Sequence, residues 1–390
     1  MTANELLETI KCGEDGRRQF KRIVKSEAEL AEDFVAFSNG DGGRIFVGVA
    51  DDGTVTGLAP REIADLNKRI SNAASQWVRP EPQVTTENIA TDAGVVVVIS
   101  ILSGISKPYQ DKDGNFWVKK GADNRKAVAR EELQRMFQRS GLVHADETPV
   151  RDTAPDSIEP LYFSSFCQAH YADVQTAAIP FPQLLKNLNL LADNGELNVA
   201  GMLLFGKQNL LRLPVFVVKA VAFPGDSFAV NTYLDSRDFE GRLAEQFHAT
   251  VAFLVNNTRT YQNGRSVNSL GEPEIPRTVW DELVANALIH RDYFISAPIR
   301  VLVFSDRVEI ISPGHLPNNL TIENIKMGNS NIRNPIIASF AAKILPYKGL
   351  GSGILRALRE YPHIDFIDDR DGNLFKAIIK RPDKGVASHD

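Results

Sequence analysis

Hydrophobic positions recur along the chain in two patterns, one typical of amphipathic helices and one typical of strands. Glu27–Phe37 and Asp281–Leu288 repeat apolar side chains at helical spacing, which predicts two helices that each bury one face. The apolar, β-branched segments Ile299–Phe304 and Val308–Ile311 flank the polar residues Ser305–Arg307, which predicts a β-hairpin. Because helical and strand patterns alternate along the chain, the sequence predicts an α+β fold.

Changes in composition divide the chain into domains. A chain of 390 residues suggests roughly two to three domains. The polar, aperiodic segment His144–Asp156 contains two prolines and is typical of a linker. We predict a multidomain protein with a first α/β domain at 1–140, a linker at 141–157, a middle α/β domain at 158–268, a C-terminal domain at 269–382 and a disordered tail at 383–390.

The same sequence argues against several classes of protein. The longest strongly apolar segment, Gly94–Leu102, is too short to span a bilayer, so we predict no membrane association. The N-terminus lacks the charged-then-apolar pattern of an export signal, which predicts a cytoplasmic protein. Cys12 and Cys167 are the only cysteines, and the histidines show no ligand spacing with them. We therefore predict neither a disulfide framework nor a structural metal.

Charge is distributed unevenly along the chain. A net charge of −5 argues against a surface that binds nucleic acid everywhere. Residues 100–140 nevertheless carry nine Lys or Arg against five Asp or Glu, a local charge of +4. Within them, Lys119, Lys120 and Arg125 are predicted to contact nucleic-acid phosphates. The adjacent rings of Phe116 and Trp117 can either stack on a base or pack inside the domain.

Two polar features near the C-terminal end can form a nucleotide site. Glu282 and Asn286 lie four residues apart, so a helix directs both side chains to one face, where an amide oxygen and a carboxylate can hold Mg²⁺ and a water. A loop with glycine at alternate positions, Gly349, Gly351 and Gly353, can wrap phosphates with backbone N–H groups. The alternative is an ordinary solvated helix face and an ordinary turn.

The order of these C-terminal segments resembles the divergent GHKL-type ATP-binding module of bacterial Schlafen/AlbA-type transcriptional regulators. The resemblance covers Ile275 to about Arg381, and Glu282–Tyr293 is its most specific part. It implies an α/β sandwich that uses ATP and Mg²⁺, with ATPase activity left open. It also implies Glu282 as general base, Asn286 as Mg²⁺ ligand, Gly314 as part of the first nucleotide-binding turn, and Gly349, Gly351 and Gly353 as the phosphate lid.

One departure from the GHKL pattern concerns the nucleobase. GHKL ATPases place an Asp at the first glycine turn, where it accepts a hydrogen bond from the adenine amino group. This chain has Ser312-Pro313-Gly314 at that turn. The resemblance therefore implies weaker adenine selectivity and weaker ATP binding than in those ATPases.

The first domain resembles the Schlafen-type AlbA domain over roughly Leu6 to Phe137, most clearly in Ala36–Leu58. In nuclease members of that family, two Glu residues and one Asp bind a divalent ion that supports phosphodiester cleavage. The corresponding positions here are Glu14, Gln19 and Asp51, so an amide replaces one carboxylate.

That replacement weakens the expected metal site. Glu14 and Asp51 stay candidate nuclease ligands, and Asp15, Asp41 or Asp52 can supply the missing carboxylate. Lys21 is predicted to contact a phosphate instead. The implied nuclease activity is therefore the less favoured alternative.

Two functions of different class follow from the resemblance. The favoured one is a nucleic-acid-binding regulator, in which the AlbA-like domain holds DNA or RNA nonspecifically and the C-terminal module responds to nucleotide. The alternative is a metal-dependent Schlafen-type RNase or DNase, in phage defence for example, which Gln19 disfavours. A degenerate module that serves assembly alone is a third reading. Family members commonly self-associate, so we expect a homo-oligomer.

Overall fold

The computed structural model describes residues 1–140, 142–172, 178–207, 209–228, 232–261, 271–317, 320–349 and 351–382. The chain forms two compact units, Met1–Val143 and His144–Asp390, called here the N-terminal and C-terminal units. Both combine helices with β-sheets, so the predicted multidomain α+β class is confirmed. The predicted tail, 383–390, lies outside the described residues. Among those described, no helix has the length and hydrophobicity needed to cross a membrane.

The N-terminal unit is built around a four-stranded sheet. Its helices are α1 (Ala3–Lys11), α2 (Glu27–Asn39), α3 (Pro60–Asn72), which continues into a π-helical turn at Ala73–Trp77, and α4 (Arg130–Arg139). Its strands are β1 (Arg18–Lys21), β2 (Gly43–Val47), β3 (Val78–Arg79), β4 (Val84–Thr91), β5 (Gly94–Ile101), β6 (Gln110–Asp111), β7 (Trp117–Lys120) and β8 (Asp123–Lys126). The main sheet has the order β1-β2-β5-β4, in which β1 and β2 are parallel and the other pairs antiparallel. Strands β3 and β6 form one separate ribbon, and β7 and β8 form another.

The two faces of this sheet support separate hydrophobic clusters. Phe34 of α2 packs in one cluster with Val47 of β2. Leu6 of α1 packs in the other with Phe20 and Phe46. Since consecutive strand residues point to opposite faces, the neighbours of Phe20 in β1 point toward the α2 side. That alternation decides where the polar residues of β1 lie.

The C-terminal unit is built around a six-stranded sheet. Two short 3₁₀ turns, Ala145–Glu147 and Pro155–Ser157, precede its first helix. Its helices are α5 (Pro160–His170), α6 (Phe181–Asn187), α7 (Val199–Phe205), α8 (Asn209–Arg212), α9 (Leu243–Asn257), α10 (Arg277–His290), α11 (Ile322–Lys326), α12 (Pro335–Ile344) and α13 (Gly353–Glu360). Its strands are β9 (Val218–Ala222), β10 (Asp235–Phe239), β11 (Thr260–Tyr261), β12 (Glu272–Pro273), β13 (Ile299–Val303), β14 (Arg307–Pro313), β15 (Ile364–Asp369) and β16 (Leu374–Lys380). The predicted helix at Asp281–Leu288 and the predicted β13–β14 hairpin are both confirmed.

This sheet joins segments that the sequence assigned to different domains. Its order is β10-β9-β13-β14-β16-β15, with β9 and β13 parallel and the remaining pairs antiparallel. Strands β9 and β10 come from the predicted middle domain, whereas the other four come from the predicted C-terminal domain. The structure therefore places 158–268 and 269–382 in one unit with a shared core.

The segment predicted as a linker also packs into the C-terminal unit. Ala145 and Val150 are buried in its main core, and Asp146 is completely buried. The Asp146 Oδ2 atom accepts a hydrogen bond 2.9 Å long from the backbone N–H of Ile337, in the first turn of α12. The linker prediction is corrected for these residues. The segment has too few apolar positions for periodicity to reveal its burial.

Candidate nucleotide site

Helix α10 carries the two polar residues of the candidate site. Trp280 and Val284, on the opposite side of the helix, are buried in the main core. The Asn286 Nδ2 atom donates a 2.7 Å hydrogen bond to the backbone carbonyl of Glu282, one turn earlier. That bond directs the amide nitrogen into the helix, so the amide oxygen is the atom suited to a metal or a donor in the neighbouring cavity.

The glycine loop closes directly over this face of α10. Gly349 and Gly351 have φ angles of +67° and +71°, which side chains rarely adopt. A Cβ atom at Gly353 would collide with the Glu282 carboxylate and lie 3.3 Å from Asn286 Nδ2. Conformation therefore favours glycine at 349 and 351, and space also favours it at 351, where a Cβ atom would collide with the Gly328 backbone carbonyl. The loop backbone and the two α10 side chains are in direct proximity.

A single cavity collects the predicted nucleotide-site residues. It is lined by Glu282, Asn286, Gly314, Gly349, Gly351 and Gly353. About 110 Å³ is open to the centres of water-sized molecules. Ile310, Ile325 and Phe375 give one part of its wall an apolar surface. The cavity thus combines an apolar region with a polar region formed by α10 and the glycine loop.

The charge of Glu282 is partly compensated within the cavity. Its side chain is only 9% exposed and forms an ion pair with Arg356 in the first turn of α13. Burial raises the pKa of the Glu282 carboxyl, and the positive charge of Arg356 partly offsets that effect. A carboxylate with a raised pKa is better suited to accept a proton near neutral pH than an exposed one.

The first glycine turn follows β14. Gly314 has a φ angle of +98°, and a Cβ atom there would approach Asp292 and Arg333 too closely. Ser312, in the turn where the resemblance implies an Asp, lines the cavity and donates through its hydroxyl to the Ala287 carbonyl at 3.2 Å. The hydroxyl oxygen is therefore the polar group that this turn presents in place of a carboxylate.

Sequence reasoning missed several cavity residues, among them Arg356, His290 and Tyr347. Arg356 pairs with Glu282, and the His290 ring nitrogen Nε2 lies 3.2 Å from the Tyr347 hydroxyl. Burial lowers the pKa of His290 to about 4, so its ring is neutral at physiological pH. The position of Arg356, three residues after Gly353 in a helical pattern, was the one available signal, because it places the guanidinium beside the glycine loop.

In the N-terminal unit, the predicted phosphate contact Lys21 is held inside the fold. Its side chain is 11% exposed, and Nζ lies 2.7 Å from Glu29 Oε1 and 3.2 Å from Asp33 Oδ2. Asp33, itself 1% exposed, also accepts a 2.6 Å hydrogen bond from Asn124 Nδ2 of β8. Lys21 therefore joins β1 to α2 and has little surface left for a phosphate.

The other predicted phosphate contacts differ in exposure. Lys119 Nζ donates to Gln19 Oε1 at 2.6 Å and lies 4.5 Å from the centre of the Phe37 ring. Arg125 forms an ion pair with Glu132 through hydrogen bonds that include one of 3.0 Å. Lys120 is exposed at the end of β7. Of the four predicted contacts, Lys120 presents the most accessible charge.

The predicted nuclease ligands are not arranged as a metal cluster. Glu14 Oε1 accepts a 2.7 Å hydrogen bond from the Phe20 backbone N–H. Asp51 lines a groove together with Phe20, whereas Gln19 points to the opposite face of β1 and is bonded to Lys119. Within the described part of the chain, no group of three or more His, Cys, Asp or Glu residues could hold a metal ion.

The carboxylates considered as substitutes have other partners. Asp15 pairs with Arg18 at 2.6 Å, and Asp41 with Arg17 at 3.3 Å. Asp52 accepts a hydrogen bond from the backbone N–H of Thr54 in the turn after β2. Each of these carboxylates therefore has a protein partner and needs no metal ion to explain its position.

The two aromatic rings beside the basic segment pack within the N-terminal unit. The Phe116 and Phe137 rings meet edge to face with centroids 5.5 Å apart. The Trp117 ring packs against the α2 cluster, and its Nε1 donates to Asp111 Oδ2 at 2.9 Å. The packed alternative therefore describes both rings better than the base-stacking alternative.

Two segments match protein-family models. Residues 14–128 match the family described as "Schlafen, AlbA_2", and residues 296–370 match "Putative ATP-dependent DNA helicase recG C-terminal". The chain carries a Schlafen AlbA domain and an ATPase-like domain. The domains recognised in the sequence are thereby confirmed. Together they indicate a nucleic-acid-associated protein that binds a nucleotide.

Solved structures show more distant similarity. The DIP2311 protein from Corynebacterium diphtheriae matches over 97% of this chain and 80% of its own, with 21% identity and a TM-score of 0.47. The N-terminal domain of a "Putative ATP-dependent DNA Helicase RecG-related Protein" from Nitrosomonas europaea matches over 33% of this chain and 96% of its own, with 20% identity and a TM-score of 0.23. No curated protein matches the sequence.

Proposed function

We propose that the C-terminal unit binds a magnesium-bound nucleoside triphosphate in its cavity, and that the bound nucleotide controls how the N-terminal unit holds nucleic acid. The observation that carries this proposal is the position of Gly353, whose backbone lies against the Glu282 carboxylate and the Asn286 amide. A loop without side chains, next to a carboxylate and an amide oxygen, suits phosphates and their cation.

Each part of the cavity has a role in this proposal. The Asn286 amide oxygen, with phosphate oxygens and water, suits Mg²⁺, which prefers a few oxygen ligands and retains several waters. Backbone N–H groups of the glycine loop and the start of α13 bind the phosphates. The base lies against the apolar wall, with Ser312 as its polar neighbour. The Ser312 proton is donated to the Ala287 carbonyl, which leaves the hydroxyl oxygen to accept from an N–H group of either adenine or guanine. We therefore expect weak discrimination between ATP and GTP.

The same arrangement supports hydrolysis. Glu282 accepts a proton from a water molecule whose oxygen attacks the γ-phosphorus, and the bond from that phosphorus to the β–γ bridging oxygen breaks. The products are ADP and phosphate, and the proton leaves Glu282 to solvent. Burial of this carboxyl raises its pKa, which favours proton transfer near neutral pH.

Nucleic acid would contact the exposed side of the β7–β8 hairpin. Lys120 and Lys126 are both exposed there. Lys126 lies 5.0 Å from the centre of the Trp117 ring, which holds its aliphatic chain against the domain. Charges of this kind bind phosphate backbones without reading sequence. This surface supports nonspecific binding of DNA or RNA.

Calorimetric titration with ATP, ADP and GTP, with and without magnesium, tests the nucleotide site. Asn286→Ala should abolish the magnesium dependence of ATP binding, since it removes the metal's protein ligand. Asn257→Ala is the matched control, because Asn257 Nδ2 makes the same bond one turn back, 3.0 Å to Phe253 O, on helix α9. Absence of heat and of any rise in melting temperature at millimolar Mg-ATP would refute the nucleotide site.

Fluorescence anisotropy with labelled single-stranded DNA and RNA tests the regulatory part. We expect binding that weakens steeply with salt and changes when Mg-ATP is added. The Asn286→Ala variant should bind nucleic acid as the wild type does but lose the response to Mg-ATP. Equal affinities with and without Mg-ATP in a wild type that binds the nucleotide would contradict regulation while leaving nucleotide binding intact.

A further inference from the structure

Arg356 occupies an unusual position between the candidate base and the phosphate loop. It lies in the first turn of α13, immediately after the glycine loop, and pairs with Glu282 across the cavity. The Arg356 Nε atom is buried and has no hydrogen-bond partner, although the side chain as a whole is 39% exposed. The guanidinium therefore has an unused donor beside a cavity suited to an anion.

The charges around the cavity put Glu282 and a triphosphate in competition. Lys348 and Arg356 are the Lys and Arg side chains among the described residues that line it. A triphosphate brings several negative charges next to Glu282, which already uses the Arg356 charge. Guanidinium groups form bidentate hydrogen bonds with phosphate as well as with carboxylate, and a terminal phosphate carries more negative charge than the carboxylate. The terminal phosphate can thus draw Arg356 away from the carboxylate.

We propose that Arg356 senses the γ-phosphate, an inference that rests on the proposed nucleotide site. Without nucleotide, Arg356 pairs with Glu282 and neutralises it. With ATP, the guanidinium turns to the γ-phosphate, and Glu282 becomes free to accept a proton from water. ADP lacks this phosphate and leaves the ion pair intact. Because Arg356 belongs to α13, its change of partner transmits the nucleotide state to that helix.

The competing explanation is that the ion pair only holds α13 on α10. A second tie between these helices already exists, since the Thr278 hydroxyl of α10 donates to the Glu360 carboxylate of α13. Ala357 is buried in the main core as well, which anchors the same helix. Loss of the Arg356 charge therefore leaves α13 attached, and the two explanations predict different effects on nucleotide binding.

The ratio of ATP affinity to ADP affinity, measured by calorimetry on the full chain with magnesium, distinguishes the sensor explanation from the helix-packing explanation. Arg356→Gln should weaken ATP binding by about tenfold or more, the effect of losing a charged hydrogen bond, and change ADP affinity by less than about twofold. Glu282→Gln should raise the ratio of ATP affinity to ADP affinity, because Arg356 no longer has to break an ion pair before it contacts the γ-phosphate. Arg359→Gln is the control, since Arg359 is exposed on the same helix and does not line the cavity.

Each outcome bears on a different claim. Equal weakening of ATP and ADP by Arg356→Gln would assign the ion pair to helix packing and overturn the sensor, while nucleotide binding would stand. Absence of binding by the wild type would overturn both proposals. If Arg356→Gln does not fold, Glu282→Gln decides, and an unchanged ATP-to-ADP ratio in that variant would also overturn the sensor.

Discussion

Helices α2 and α10 carry polar pairs with the same spacing and different surroundings. Glu29 and Asp33 lie four residues apart on α2, as do Glu282 and Asn286 on α10. The α2 pair is closed by Lys21 from β1. The α10 pair faces a cavity under a glycine loop. Equal spacing therefore does not imply an equal role.

The difference lies in what covers each pair. On α2, a lysine from the neighbouring strand supplies the opposite charge, and the β7–β8 hairpin adds Asn124 as a hydrogen-bond donor to Asp33. Removal of Asp33 is costly, because the buried Lys21 keeps only the more exposed Glu29 as its partner and the Asn124 amide loses its acceptor. On α10, the pair borders a cavity that is lined by the side-chain-free residues Gly349, Gly351 and Gly353. Open space next to a carboxylate is what a ligand requires.

The largest expected effect concerns the open pair. Glu282→Gln removes the proton acceptor and should lower the rate of phosphate release from ATP by roughly 10²- to 10⁴-fold, the usual contribution of a general base. ATP binding should persist, which calorimetry on the same protein checks. Glu323→Gln is the control, because Glu323 is exposed on α11 and does not line the cavity. Hydrolysis that survives Glu282→Gln would assign the catalytic role to another group or to a contaminant.

The next effect concerns the closed pair. Asp33→Ala leaves Lys21 buried with Glu29 as its remaining partner, so the N-terminal unit should lose about 3 to 5 kcal/mol of stability. Urea unfolding measures the loss, and hydrogen exchange at the β1 amides locates it. Glu132→Ala breaks the more exposed pair with Arg125 and should cost less than about 1 kcal/mol. Similar costs for the two variants would contradict the contrast between buried and exposed pairs.

Asp146 extends the comparison to a buried carboxylate that is bonded to a helix terminus. Burial raises its pKa from 3.8 to about 6, against the hydrogen bond from the Ile337 N–H. The folded state therefore favours the protonated form, and the stabilisation from this group is present below about pH 4 and lost as the pH rises to about 6. Asp146→Asn should remove this slope.

Urea unfolding of the C-terminal unit at several pH values tests this sign. The stability of Asp146→Asn relative to wild type should rise between pH 4 and pH 7 by up to about 3 kcal/mol. Asp281→Asn is a useful second variant, because burial also raises the pKa of the Asp281 carboxyl although that side chain is more exposed than Asp146. The assignment would be contradicted if the stability of Asp146→Asn relative to wild type fell between pH 4 and pH 7.

Sequence reasoning was most informative where local spacing brings residues together, although the roles of those residues stay predictions. The α10 residues and the glycine loop are each defined by short segments, and the resemblance supplied their order. The structure then brings Glu282 and Gly353 together in one cavity. The domain boundaries were harder to predict, because a polar segment such as 141–157 can bury a few residues, among them Ala145, without showing any hydrophobic period.

Charged residues showed the limit of the same reasoning. A cluster of lysines in sequence predicts a basic surface only if no partner arrives from elsewhere in the chain. Lys119 meets Gln19, a hundred residues earlier, and Lys21 meets the α2 carboxylates. Gln19, expected to weaken a metal site, has a different partner in this fold. Such long-range pairs leave no trace in local composition.

The smallest expected effect tests which charges remain available after this internal pairing. Lys120→Ala should weaken nucleic-acid binding by a few-fold and reduce the slope of log affinity against log salt by about 1, the effect of one lost phosphate contact. Lys21→Ala should instead destabilise the N-terminal unit. Lys68→Ala, on the exposed side of α3, makes the same change in net charge and is the control. If Lys68→Ala weakens binding as much as Lys120→Ala, overall charge rather than the hairpin determines affinity, and the proposed nucleic-acid surface is incorrect.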